Sequence, residues 1–410
     1  MQELCQLRAR IPIYCLINSV RVHQAYFLLI TKVLISAGTF NMWIHEHSSW
    51  PSFTWDAQAL ASKLAAVRHQ QGKLIGRMQG LGFELKREAN LNTLTNDVVK
   101  SSAIEGETLS LTEVRSSLAR RLGIDIAGLV PASRDVEGIV EMMLDATQQF
   151  NKPLTKDRLF AWHEALFPTG RNGMHKITVG SWRSARSGAM QVVSGPIGRE
   201  NVHFEAPSAN RLDQEMTAFI KWFERKDAID PVLKAGLAHL WFVTIHPFED
   251  GNGRIARAIS DMALARADDT PDRFYSLSTQ IESEQDYYNQ LERQQRRPPD
   301  VTCWLEWFLD CLGRSINSAK DTLAIVLFKA RLWERINLQP VNERQRLVIN
   351  RMLEHNFQGY MNTSKYAKLA KCSTDTALRD IQALKTSGVF IQNPGGGRST
   401  SYRLPEIVAD

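Results

Sequence analysis

The chain has 410 residues, 43% of them hydrophobic and 23% charged, an ordinary balance for a soluble protein with room for two or three domains. A net charge of +6 leans toward an acidic partner, nucleic acid among them, without compelling one. The five cysteines stand at 5, 15, 303, 311 and 372 with no Cys-x-x-Cys pair, which speaks against a disulfide framework or a zinc site and points to a reducing, cytoplasmic setting.

In chain order, Ala25 to Phe40 is apolar but carries Lys32 and falls short of the roughly 20 apolar residues of a membrane span. The order of features is also poor for a signal peptide, so residues 1–41 read as an upstream extension, with Met42 as the expected start and no membrane contact. Ala57 to Asn96 has a long helical pattern (Leu60, Leu64, Val67, then Leu74, Met78, Leu81, Leu85) that suits a helical hairpin. Ser101-Ser102-Ala103-Ile104-Glu105-Gly106 reads as a helix end with Gly106 as its cap. Thr112 to Leu122 and Val136 to Phe150 are amphipathic, and His163, within Arg158 to Phe167, reads as a structural histidine. From Gly180 the pattern changes: Met190-Gln191-Val192-Val193 and Val202 to Pro207, separated by Gly195 and Gly198, predict a β-hairpin. His203 within it receives no role.

Val232 to Thr244 is again helical, with Leu233, Leu237, Leu240, Trp241 and Thr244 at steps of three and four. Pro247 disfavours helical geometry at His246 and ends that helix. The run His246-Pro247-Phe248-Glu249-Asp250-Gly251-Asn252-Gly253-Arg254-Ile255-Ala256-Arg257 follows, and Ile255, Ile259, Met262 and Leu264 begin a second helical stripe. A glycine-rich loop feeding a helix N-terminus turns backbone N–H groups toward a ligand, where the helix dipole favours negative charge. Arg254 and Arg257, three apart, can reach one bound anion. A histidine, two carboxylates, this loop and two arginines in twelve residues have the chemistry of a polyphosphate site.

Beyond it stand Tyr287 and Tyr288, a Trp/Leu/Phe stripe from Thr302 to Ile316, and a further helix from Ser318 to Arg335. The last stretch predicts helices at Arg344 to His355, Ser364 to Lys371 and Asp375 to Thr386, then two strands, Gly388 to Ile391 and Thr400 to Leu404, flanking Gly395-Gly396-Gly397-Arg398. That order resembles a winged helix-turn-helix. Arg379 and Lys385 on the third helix, with Arg398 and Arg403 in or beside the wing, could touch DNA phosphates; docking to a protein is the alternative.

The run from His246 to Arg257 matches at every specified position the signature of the Fic (filamentation induced by cAMP) family, which the chain resembles. The resemblance implies a mainly α fold, a helical Fic core with a small β-hairpin flap, here followed by the winged helix-turn-helix. The resulting division is an N-terminal extension (1–41), an N-terminal helical domain (42–125), a Fic catalytic domain (126–335) and the winged helix (336–410). It further implies transfer of AMP from ATP, the co-substrate, to a Ser, Thr or Tyr hydroxyl of a target protein, releasing pyrophosphate. In that scheme His246 is the general base, Asp250 holds Mg2+, Gly251, Asn252 and Gly253 cradle the phosphates, and Arg254 and Arg257 bind them. Tyr287 and Tyr288 lie beside the base, and the flap clamps an extended target segment by strand addition. Ser101, Glu105 and Gly106 match the family's inhibitory pattern, in which the glutamate pairs with the second arginine, here Arg257. Helical cores of this family often pair, so a homodimer is an expected partner state. Two alternatives stand beside this: a nucleotide-sensing, DNA-binding transcription regulator, and a Fic enzyme that removes AMP or transfers another nucleotide.

Overall fold

In a computed structural model of the chain, the described residues run from 42 to 405, except 81, 127, 174, 186–187, 197–198, 200, 227, 338–340, 354–356, 358 and 395–399. The expected extension before Met42, and Arg398 in the expected wing, lie outside them. Among the described residues the chain is mainly helical, with fourteen α-helices and three antiparallel strand pairs. None of these helices is long and apolar enough to cross a membrane.

The chain opens with α1 (Ala57–Gln79) and α2 (Phe83–Ile104), then α3 (Leu111–Arg121), α4 (Arg134–Gln148) and α5 (Lys156–Leu166). Asp56 starts α1 by accepting the backbone N–H groups of Gln58 and Ala59 at 2.9 and 3.0 Å, which satisfies donors the first turn cannot. The α1–α2 turn falls between Gly80 and Gly82, so the hairpin read from the apolar spacing is present, and its second helix runs on to Ile104. Two short hairpins follow: β1 (Arg171–Asn172) with β2 (His175–Lys176), and β3 (Gln191–Ser194) with β4 (Asn201–Glu205). The second is the predicted hairpin, its register interrupted by a bulge between Val192 and Val193. The first, two residues a side, has no period a sequence reading could detect.

Next come α6 (Leu212–Glu224), α7 (Pro231–Ile245), α8 (Asn252–Asp268), α9 (Leu277–Ser283), α10 (Tyr287–Gln295) and α11 (Thr302–Asn337). α7 begins with Asp230 accepting from Val232 N at 2.8 Å and with Pro231 in its first turn, where a missing N–H costs nothing. It is apolar on every side, and from Val232 to Ile245 only Lys234 escapes full burial, so it forms the centre of the molecule. α8 packs against it and is buried almost as completely. The loop joining these two central helices is the motif loop.

One core runs without a break from Leu60 to Leu323, so the N-terminal helices share it with α4 to α11. A second core, from Leu332 to Tyr402, includes Val348, Ile349, Tyr366, Ile381 and Phe390. It gathers α12 (Glu343–Met352), α13 (Thr363–Leu369), α14 (Thr374–Thr386) and the pair β5 (Ile391–Gln392) and β6 (Tyr402–Arg403). The expected break between Ile316 and Ser318 is absent: α11 is one helix of 36 residues, about 54 Å long at 1.5 Å per residue. No proline or glycine stands at the supposed break, and Ile316, Ala319 and Leu323 stay packed in the first core.

Candidate active site

At the end of α7 the chain turns on His246, which takes the left-handed conformation (φ 51°, ψ 58°), a strained choice for a non-glycine residue. Arg183, 4% exposed, holds this turn. Its Nε donates to the His246 carbonyl at 2.7 Å, its Nη2 to the carbonyls of Pro207 (2.5 Å) and Ile245 (3.4 Å), and its backbone N–H to Pro247 O at 2.9 Å. Burial lowers its pKa to about 10, so it remains a cation at neutral pH. The sequence gives Arg183 no role, because nothing local marks an arginine whose partners lie 24 to 63 residues away.

Asn252, 2% exposed, closes the loop across its base: its Oδ1 accepts from Phe248 N and its Nδ2 donates to Phe248 O, both at 2.9 Å. Its amide is therefore spent on loop shape, which leaves the backbone N–H as the Asn252 group that can face a phosphate. Gly251 adopts φ +76°, and a Cβ there would sit 2.9 Å from the Phe167 ring, so no other residue fits this turn. The loop rests on Phe248, fully buried and stacked on His163 with ring centroids 4.1 Å apart. His163 is accordingly structural, as expected: its Nε2 meets Asp250 O at 3.2 Å, and burial lowers its pKa to about 4.

The two carboxylates are met by Asn172 and Thr178, which have no role in the sequence analysis. Asp250 accepts from Gly251 N at 2.5 Å and from the Asn172 amide. Glu249 accepts from Thr178 N at 2.9 Å and from its hydroxyl at 3.0 Å. His246 Nδ1 lies 3.2 Å from Val243 O. A carbonyl can only accept, so Nδ1 carries the proton and Nε2 keeps its lone pair. Burial lowers the His246 pKa to about 4, with Arg183 adding to the shift and the Glu105 and Asp250 carboxylates opposing it. The imidazole is thus a neutral acceptor at pH 7.

Both arginines of the motif are buried, Arg254 at 4% and Arg257 at 1% exposure. Arg257 donates through Nε to Ser101 Oγ (2.9 Å), and through Nη2 to Ser101 O and Glu105 Oε1 (both 2.8 Å). Burial works to lower its pKa, yet the Glu105 carboxylate leaves it raised. Arg254 donates to Glu107 Oε2 at 2.6 Å, and its guanidinium lies 5.1 Å from the centre of the Phe167 ring. Arg254 Nε and Arg257 Nη1 are buried without a hydrogen-bond partner among the described residues. The Glu105 carboxylate fills the space beside Gly253, where a Cβ would stand 2.1 Å from its Oε1. A negative group therefore already occupies the N-terminus of α8, supplied by Glu105, the C-cap of α2, and the next residue, Gly106, has φ +80°.

The tyrosines part company. Tyr287, 3% exposed, belongs to the core, its hydroxyl 2.9 Å from His239 Nε2 and its ring 5.8 Å from that of Trp307. Tyr288, 55% exposed, has its ring centroid 4.9 Å from that of Tyr287 and donates to Ile104 O at 3.0 Å. In the elements of the second core, Arg379 and Lys385 are exposed on α14, Lys385 donating to Gln392 Oε1 at 2.7 Å, and Arg403 stands on β6.

His239, 1% exposed beneath the site, lies between Ser260 Oγ and Tyr287 Oη. Burial and then the charge of Arg257 lower its pKa to about 3. Below about pH 6.5 the unfolded chain protonates this histidine while the folded chain does not, so stability falls with pH from there to about 3, by about 1.4 kcal/mol per unit from this group. Urea midpoints of the native chain and of His239→Gln between pH 4.5 and 7.5 check this. The variant is expected to show the flatter dependence; equal slopes would remove His239 from the account.

The Fic/DOC family profile matches residues 153–264, and a domain of unknown function, DUF4172, matches residues 43–124. The chain is similar to Protein adenylyltransferase Fic of Nematostella vectensis, 26% identical over 226 residues, which cover 54% of this chain and 47% of that protein. It is also similar to Protein adenylyltransferase fic-1 of Caenorhabditis elegans, 26% identical over 197 residues, covering 47% and 35%. The chain thus spans about half or less of the length of these curated relatives. Among solved structures, a Fic family protein from Desulfovibrio desulfuricans is 21% identical, with coverage of 86% of this chain and 97% of that one and a TM-score of 0.48. The chain carries a Fic/DOC family domain, with the His246 to Arg257 loop inside it, behind a DUF4172 domain.

Proposed function

We propose that this protein is a protein adenylyltransferase restrained by its own Glu105. One observation carries the reading. Two buried arginines converge on a helix N-terminus, each has a buried N–H without a partner among the described residues, and the space between them and the helix holds a carboxylate. Arginine forks, backbone N–H groups and a helix dipole together suit a polyphosphate. The carboxylate occupies the place of one of its phosphates.

In the reaction, His246 Nε2 accepts the proton of a target Ser, Thr or Tyr hydroxyl. The freed oxygen attacks the α-phosphorus of ATP, the bond between that phosphorus and the α,β-bridging oxygen breaks, and pyrophosphate leaves. Arg254, Arg257 and the N–H groups of the loop hold the negative charge, and such transfer needs positioning and charge neutralisation above all. Asp250 is the residue that would hold Mg2+. Among the described residues no three His, Cys, Asp or Glu side chains converge as a metal site, and one carboxylate suits an ion that takes its other ligands from water and phosphates. Mg2+ bound there supplies neutralising charge to the phosphates. Tyr288, the exposed member of the pair, offers its face to the adenine, and the β3–β4 hairpin is the flap that aligns the target.

Glu105 restrains this chemistry because Arg257 cannot serve both it and the terminal phosphate. The test is incubation of the native chain and of Glu105→Gly with several labelled nucleotides in an extract of the cells that make the protein. The variant is expected to label protein with ATP at least about 10-fold faster, since the competing ion pair on a buried arginine is worth more than about 1.4 kcal/mol. A variant that binds ATP and labels nothing favours the alternative of a nucleotide-sensing regulator; labelling from another nucleotide changes the donor. Residues 336–410 we read as a winged helix. Its own core and the exposed Arg379 and Lys385 on α14 favour DNA as its partner; specific retention of duplex DNA by the full chain checks it.

A further inference from the structure

Glu107 has no role in the scheme above, yet it makes one of the two ion pairs that join the end of α2 to the motif helix. Its Oε2 accepts from Arg254 Nη1 at 2.6 Å. Arg254 is 4% exposed and is fixed from the other side by the Phe167 ring, whereas the Glu107 side chain is 39% exposed. Glu107 can therefore swing into water at little cost, while the arginine stays in place. Two residues earlier Glu105 holds Arg257, and one before that the Ile104 carbonyl takes the hydroxyl of Tyr288. Within residues 101–107, then, each exposed or cationic group expected to hold the nucleotide is already engaged: both arginines by carboxylates and the open tyrosine by a carbonyl. The positive φ of Gly106 makes this arrangement possible, because it turns the chain out of the helix so that carboxylates two residues apart face two arginines one helical turn apart.

We propose that Glu107 is a second inhibitory carboxylate, competing with the nucleotide for Arg254 as Glu105 competes for Arg257. This rests on the anion-site reading of the two arginines but not on AMP transfer itself. Release of restraint takes two steps, and removal of Glu105 alone leaves Arg254 engaged. A nucleotide with a β- and γ-phosphate has to displace Glu107; AMP does not.

The test is calorimetric titration of four full-length proteins, native, Glu107→Gln, Glu105→Gly and Glu105→Gly/Glu107→Gln, with the α,β-methylene analogue of ATP and with AMP. Glutamine keeps the shape of a half-exposed side chain, and a thermal melt shared with the parent confirms folding. In the Glu105→Gly background, Glu107→Gln is expected to tighten the ATP analogue about 5-fold, the range for an ion pair with one half-exposed partner, and to leave AMP unchanged. An unchanged or weakened affinity for the analogue overturns the proposal, as does an equal gain for AMP. If the double variant binds the analogue more tightly and transfers nothing from ATP, the transferase reading fails while the role of Glu107 stands.

Discussion

Replacing His246 by alanine in the Glu105→Gly background is expected to cut AMP transfer by about 10²- to 10⁴-fold, the usual contribution of a positioned general base, without weakening ATP binding. The geometry argues for this split. Nδ1 is committed to the Val243 carbonyl, so the only nitrogen able to take a proton is Nε2, and burial keeps that nitrogen unprotonated at neutral pH. The ring touches neither motif arginine by hydrogen bond, so its loss leaves the anion site intact. Initial rates of label incorporation with saturating ATP, beside a titration of the ATP analogue, separate the two effects. Labelling that survives within tenfold of the parent would discard His246 as the base.

Truncating Arg257 to alanine is expected to be the second large effect, and it appears in two measurements. ATP affinity in the Glu105→Gly background falls by at least about 10-fold, since a charge-assisted fork on phosphate is worth more than about 1.5 kcal/mol. The fold is weakened as well. Arg257 is 1% exposed and holds both the hydroxyl and the carbonyl of Ser101, itself fully buried. Leaving those acceptors unpaired costs about 2–4 kcal/mol. Arg257→Lys keeps the charge and loses the fork, so it should recover part of the stability and little of the affinity. Unchanged ATP affinity in the alanine variant would count against a phosphate role.

The parts of this molecule readable from its sequence are those whose cause is local. The stripe from Leu233 to Thr244 reflects a helix buried all round, and with Pro247 ahead the helix ends at Ile245, capped by His246. The alternating residues on either side of Gly195 became β3 and β4. The resemblance also placed Glu105 opposite Arg257, and the two lie 2.8 Å apart. What escaped the reading acts over distance. Arg183 fixes the His246 turn from 63 residues away, Asn172 reaches Asp250 across 78, and Glu107 reaches Arg254 across 147. None carries a period, a cap or a turn signal of its own. The unbroken α11 shows the reverse error, a break supposed where a change of apolar pattern marked only passage from one core toward the next.

The most direct test of the central claim, that the loop joining α7 and α8 seats ATP for attack at its α-phosphorus, uses one protein and two labels. The Glu105→Gly chain is incubated with ATP labelled at the α- or at the γ-phosphate, and the protein-bound label is counted and located by mass spectrometry. The account predicts stable incorporation from the α-labelled nucleotide alone, on a Ser, Thr or Tyr oxygen. Incorporation from the γ-label, or from neither, would contradict it.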